Sequence, residues 1–397
     1  MHDVVGIRSI YLLIWALYPL LFPFYLMGRT PIASARAPAH AQNWAVKVEG
    51  GVPQLADYTV TALTGLVLTG LGICLRPAAV PIIRAFGLFA GYVAVVNGCY
   101  AVLLRDRSFV QSTLFYVYDI FLLLTFLVLY AVFQERFLRL TVHALAASVF
   151  LQVLLSPLAT VPSWHRQTLF FANENQLGYF AMLATTVFFL GTRRFRLSTV
   201  YQACFYAAAT YLAILSLSRA ALSALVFFWI LVALERPRRL LVGGCFAASV
   251  LLAGMCLPAD VGPNIVERIE RRLVEGGQDD TFAKRGYDRL FNHPEYLIFG
   301  AGEGVYERFQ SELKPSSEIH SSYGTLAFCY GFPGTALFTY GLVLIGRQCG
   351  PRLALYLAPV FFYGLTHHGL RFSLFWVLLG FLCCLDRRAT SRTREVL

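Results

Sequence analysis

The run Val110–Phe133, VQSTLFYVYDIFLLLTFLVLYAVF, carries a single charged residue, Asp119. At 1.5 Å of rise per residue, a helix of that length covers the roughly 30 Å of hydrocarbon in a bilayer. It lacks the strict in/out alternation of a barrel strand, and lipid offers no solvent to an unpaired backbone group, so the run reads as a membrane-crossing helix. The same reading extends outward to runs near 9–27, 59–75, 79–104, 140–159, 175–191, 198–217, 220–234, 240–257, 320–346, 353–370 and 372–386. The whole chain supports it. Its 397 residues are 57% hydrophobic and 14% charged, with a mean hydropathy of +0.61, whereas a soluble domain carries roughly 25% charge. A water-soluble enzyme, a disordered chain, a collagen repeat and a disulfide scaffold are all excluded by that balance.

The expected fold is therefore an all-α integral membrane protein with about twelve transmembrane helices. Arginine sets its orientation. Arg8, Arg76, Arg136, Arg139, the Arg193–Arg196 and Arg236–Arg239 clusters, Arg347, Arg352 and the tail arginines 387, 388, 392 and 394 fall on alternate ends. The positive-inside rule makes those ends, and both termini, cytoplasmic. The net charge of +11 then reports topology, and nucleic acid is not an expected partner. The division of the chain follows: spans one to nine over 1–257, a periplasmic loop with short amphipathic helices over 258–319, spans ten to twelve over 320–386, and a basic cytoplasmic tail over 387–397. The first segment has no clear cleavage site after Met27 and reads as a span rather than a signal peptide. None of the nine cysteines lies in the long loop, so no disulfide framework is expected there.

Chemistry gathers on the other face. Within the loop, 266–274 and 282–291 read as short helices, the second stopped by Asn292-His293-Pro294. Ser317 is the expected cap of span ten, which would put His320 in its first turn at the outer mouth. An imidazole there is a candidate general base near neutral pH. Arg166, Arg219 and Arg371 sit at other outer mouths and Arg285 in the loop, against the positive-inside trend. Together they suggest a cationic pocket for phosphate oxygens, which the planar guanidinium grips bidentately. Gly300-Ala301-Gly302-Glu303-Gly304 lacks the strand and Lys-Ser/Thr of a phosphate loop and reads as a flexible turn. Adjacent His367 and His368 diverge on a helix, so no metal is expected. Asp119 and His143 read as buried structural polar groups.

Five places in the sequence resemble the O-antigen ligase and polymerase superfamily of bacterial inner-membrane glycosyltransferases. They are Arg166 with Asn173-Glu174-Asn175-Gln176-Leu177-Gly178, where Glu174 stands in place of the usual Pro; Ser218-Arg219-Ala220-Ala221; Arg285 followed by Asn292-His293-Pro294 and Phe299-Gly300-Ala301-Gly302; His320-Ser321-Ser322-Tyr323 through Tyr330-Gly331-Phe332-Pro333-Gly334, with Ser321 for the common Asn; and the long loop itself. The resemblance spans roughly 160–376. It implies inverting, cofactor-free transfer of a glycan from an undecaprenyl diphosphate carrier to a hydroxyl of lipid A-core, on the periplasmic side of the bacterial inner membrane. His320, Arg219 and Arg285 would be catalytic. Arg166, Asn173, Asn175, Ser218, Arg289, His367 and Arg371 would bind substrate. An O-antigen polymerase or a protein O-glycan ligase would differ only in the acceptor. A lipid or sugar transporter or flippase is the alternative of another class.

Overall fold

The computed structural model describes residues 2–22, 55–159, 167–171, 173–235, 285–309 and 318–385. Among these, all regular structure is helical and there is no strand. Three helical segments are long and apolar enough to cross a membrane: Pro77–Leu104, Ser108–Phe133 and Glu135–Ala159, with hydropathies of 1.9, 2.1 and 1.8. Shorter apolar stretches are Ser9–Leu21, Thr59–Gly70 and Ser373–Cys384. The expected span at 240–257 and the expected loop helix at 266–274 lie outside the described residues. The chain gathers into two units, one of Met1–Leu66 with Glu135–Val274, the other of Val67–Gln134 with Glu275–Leu397.

In the first unit, helix His2–Leu21 packs on Glu135–Ala159, where Trp15 Nε1 donates to Thr141 Oγ1 at 2.9 Å. Helices Glu174–Arg194 and Thr199–Ser216 meet through the stacked rings of Phe188 and Phe205, 3.8 Å apart. Helix Arg219–Glu235 approaches Glu174–Arg194 at Gly178, where an added Cβ would lie 2.7 Å from both Ala221 Cβ and Ser216 Oγ. No other residue type permits that approach. Arg194 Nε donates to Glu135 at 2.9 Å, and Arg193 pairs with Glu235, tying the helix ends.

In the second unit, helix Val80–Leu104 starts behind Pro81 and ends at Arg105, which turns left-handed at φ 52°. Asp106 accepts from Ser108 N at 2.7 Å and starts the antiparallel neighbour Ser108–Phe133. Phe86, Phe89, Tyr116, Tyr330, Phe338 and Trp376 make the aromatic core, with edge-on contacts between 5.2 and 6.0 Å.

Here the helices depart from the expected spans. The run 320–346 is not one helix but two, Ser322–Cys329 and Gly331–Cys349, broken at Tyr330. Pro333 has no N–H to offer the Cys329 carbonyl, and Gly331 adopts φ +60°. The carbonyls freed by the break are bonded by another segment: Ala301 N donates to Phe328 O at 2.8 Å and Gly302 N to Cys329 O at 2.9 Å. The run 353–370 is likewise divided, into Pro351–Ala354, a 3-10 turn Leu355–Leu357 and Ala358–Gly364. Prolines at 351 and 359 begin two of these pieces, as their fixed φ and missing N–H favour. The last expected span is a helix of 12 residues, Ser373–Cys384, shorter than the roughly 20 that cross a bilayer unaided.

Candidate active site

Three short segments of the second unit converge around His320. Ser321, not Ser317, caps the helix: its backbone is extended, and its hydroxyl accepts from Gly324 N at 3.1 Å. His320 therefore precedes the cap instead of lying within the first turn. Ser317 falls outside the described residues. The backbone N–H of His320 donates to the carbonyl of Arg285 at 3.1 Å. Arg285 in turn sends Nη1 to the Thr366 carbonyl at 2.7 Å. Tyr287 donates its hydroxyl to Leu365 O at 2.6 Å and lies 2.6 Å from Ser321 Oγ. Ser322 fixes the far side, where its Oγ reaches His367 O at 3.2 Å and accepts from Gly369 N at 3.0 Å. The expected helix over 282–291 is reduced, among the described residues, to a turn and the single helical turn Arg289–Asn292; it ends ahead of Pro294, as expected.

Beneath this lies a charge cluster that sequence reasoning missed. Glu303 is fully buried, its backbone N–H held by Asn97 Oδ1 at 2.9 Å. Its carboxylate pairs with Arg371, accepts from the Tyr330 hydroxyl, and lies 3.5 Å from His368 Nε2. Arg371 reaches a second carboxylate, Glu318, at 3.3 Å. Burial works against the Arg371 charge, but Glu303 and Glu318 outweigh it and raise its pKa. His368, in the turn between Ala358–Gly364 and Ser373–Cys384, goes the other way. Burial first, then the Arg371 charge, push its pKa down to about 3 against the pull of Glu318, with a further downward push from His320. It is neutral at pH 7, so its approach to Glu303 is that of a neutral ring. The Gly300–Gly304 segment is thus not a flexible turn: Ala301 and Glu303 are completely enclosed, and its amides complete the broken helix. An acid among glycines, twenty-seven residues before Tyr330, was the available signal.

The remaining expected residues fall as follows. His367 Nδ1 is 3.0 Å from Thr366 Oγ1 and its ring stacks on Tyr363 at 4.9 Å. Arg289 is 5% exposed, its guanidinium against Tyr306 and Phe309 at 5.6 and 5.9 Å; burial lowers its pKa. In the first unit, Asn173 caps helix Glu174–Arg194 by accepting from Gln176 N at 3.0 Å, and Asn175 lies half-buried in its first turn. Ser218 is buried immediately before Arg219, and its carbonyl accepts from Leu222 N at 2.9 Å. Gly178 brings the Asn173–Gly178 and Ser218–Ala221 elements against each other. His143 is bonded to Tyr201 at 3.1 Å. Arg166 lies outside the described residues. Within the second unit, then, His320, Arg285 and His367 are joined through Thr366, while Arg371 pairs with Glu303 and Glu318. Comparison of the sequence with protein-family models and with curated proteins found no match to either.

Proposed function

We propose that this chain is a twelve-span glycosyltransferase of the bacterial inner membrane, similar to the O-antigen ligases, with both termini cytoplasmic and its site facing the periplasm. Its donor would be a glycan on undecaprenyl diphosphate and its acceptor a hydroxyl of lipid A-core. One nitrogen of His320 takes the acceptor proton as the oxygen attacks C1 from the face opposite the carrier. The C1–O bond to the diphosphate breaks with inversion, and the leaving group departs with the electron pair. Guanidinium groups fixed beforehand stabilise that growing negative charge more effectively than water, which must reorganise. No metal or cofactor is needed in this scheme.

The observation that supports the reading is the bond from His320 N to Arg285 O, with the Arg285 guanidinium held on the Thr366 carbonyl of the facing turn. A base and cations on one rigid frame are what an in-line displacement requires. The test gives purified protein a carrier-linked glycan with lipid A-core, and separately the glycan alone. Product on lipid A-core is expected, and H320A should abolish it at unchanged protein level; elongation of glycan alone would mark a polymerase. R219Q tests separately the diphosphate contact implied by the resemblance.

One observation favours transport instead: the helix broken at Tyr330, with a buried carboxylate beside the break, is a feature of secondary transporters. Glycan transfer in detergent, where no compartment exists, would discard transport as the sole activity.

A further inference from the structure

We propose that the first unit carries a binding groove for one anionic phospholipid, between helices His2–Leu21 and Glu135–Ala159. The groove, of about 540 Å³, is walled by Ile10, Leu13 and Ala16 on one helix and by Leu140 on the other, with Arg136 one turn from Leu140. Ile10 and Leu13 are 51% and 64% exposed, and they repeat at the spacing of one helix face, so the wall is continuous and apolar.

Charge decides the occupant. Glu135, the acid of that helix's first turn, is engaged by Arg194. Arg139, one turn on, lies over the Phe195 ring at 5.2 Å. Among the described residues no carboxylate pairs with Arg136, which stands exposed at the positive end of the helix dipole. An apolar trough ending in an uncompensated cation matches an acyl chain with a phosphate headgroup. Basic pockets between membrane helices bind anionic lipid headgroups on this principle. A zwitterionic lipid would satisfy the trough but carry a choline against the same arginine. This site does not depend on the transfer chemistry proposed above.

The test is native mass spectrometry of the full-length protein in detergent, titrated with phosphatidylglycerol and phosphatidylcholine of identical acyl chains. One phosphatidylglycerol should be retained about fivefold more tightly, the ratio that one arginine near a headgroup supplies. R136Q should erase the preference. R196Q, which removes an exposed cation outside the groove, should preserve it. L13W, which fills the trough from an exposed position, should weaken both lipids. Equal retention of the two lipids, a preference that survives R136Q, binding unchanged in L13W, or displacement of phosphatidylglycerol by inorganic phosphate alone would each overturn the assignment.

Discussion

Glu303 has no water contact, yet it sits where an arginine, a tyrosine hydroxyl and a histidine ring meet. Arg371 keeps its charge despite burial because Glu303 and Glu318 face it. Removing Arg371 leaves the buried Glu303 carboxyl without its cation, a loss of about 3–5 kcal/mol for a buried pair, whereas Glu318 still faces Arg371 once Glu303 is gone. R371M should therefore lower the thermal unfolding temperature sharply, and E303Q/R371M should recover part of the loss; equal instability of single and double variants would show that the pair is not coupled. His368 makes a second residue-level prediction. Its folded pKa, about 3, lies below the ordinary value of 6.5. The unfolded chain thus binds the proton first, and the stability present above pH 6.5 is lost as pH falls toward 3. The slope for one such group is about 1.4 kcal/mol per pH unit. Unfolding followed from pH 6.5 to 5 should show it in the wild type and not in H368Q. Neither role was legible in the sequence. His320, Arg285 and Arg371 declare themselves by residue type and position, whereas Glu303 acts through burial, which only the folded chain reveals.

At the scale of elements, the break inside the expected span at 320–346 has a sequence origin. Pro333 deprives Cys329 O of its helical donor, and Gly331 supplies the positive φ that lets the chain kink. G331A should be destabilised by about 1–2 kcal/mol, since an L-residue is strained there and its Cβ would lie 2.8 Å from Leu297 O and Gly300 N. The measurement is thermal unfolding, with the exposed Gly65, which has open space around it, as the control site for the same change. S321A should cost about 1 kcal/mol from the lost cap and should also loosen the Gly364 contact that its hydroxyl makes at 3.1 Å. Reading hydropathy alone missed the break because both halves are apolar. Reading caps alone chose Ser317 because two serine pairs flank His320, and the choice between them depends on which amide, here Gly324 N, comes within reach.

For the whole molecule, composition settled the helical class, and the described helices agree with it. Three of the expected spans are long and apolar enough to cross a membrane, while those at 320–346 and 353–370 are divided. Each unit is assembled from segments far apart in sequence, a property no local pattern encodes. The proposed orientation makes a prediction at this scale. In a cysteine-free background, H293C should react from the periplasm with a membrane-impermeant maleimide, and R136C only after the membrane is opened; the reverse pattern would invert the topology.

The amides of Ala301 and Gly302 that close the break at Tyr330 also bear on how the protein is made. They precede the divided helix in the chain, so they have left the ribosome before Phe328 and Cys329 emerge. In the proposed membrane placement, the donors of two carbonyls that lipid would not solvate are synthesised first, so their pairing waits for no later segment. A transposition that moved 297–304 behind residue 349 would reverse that order.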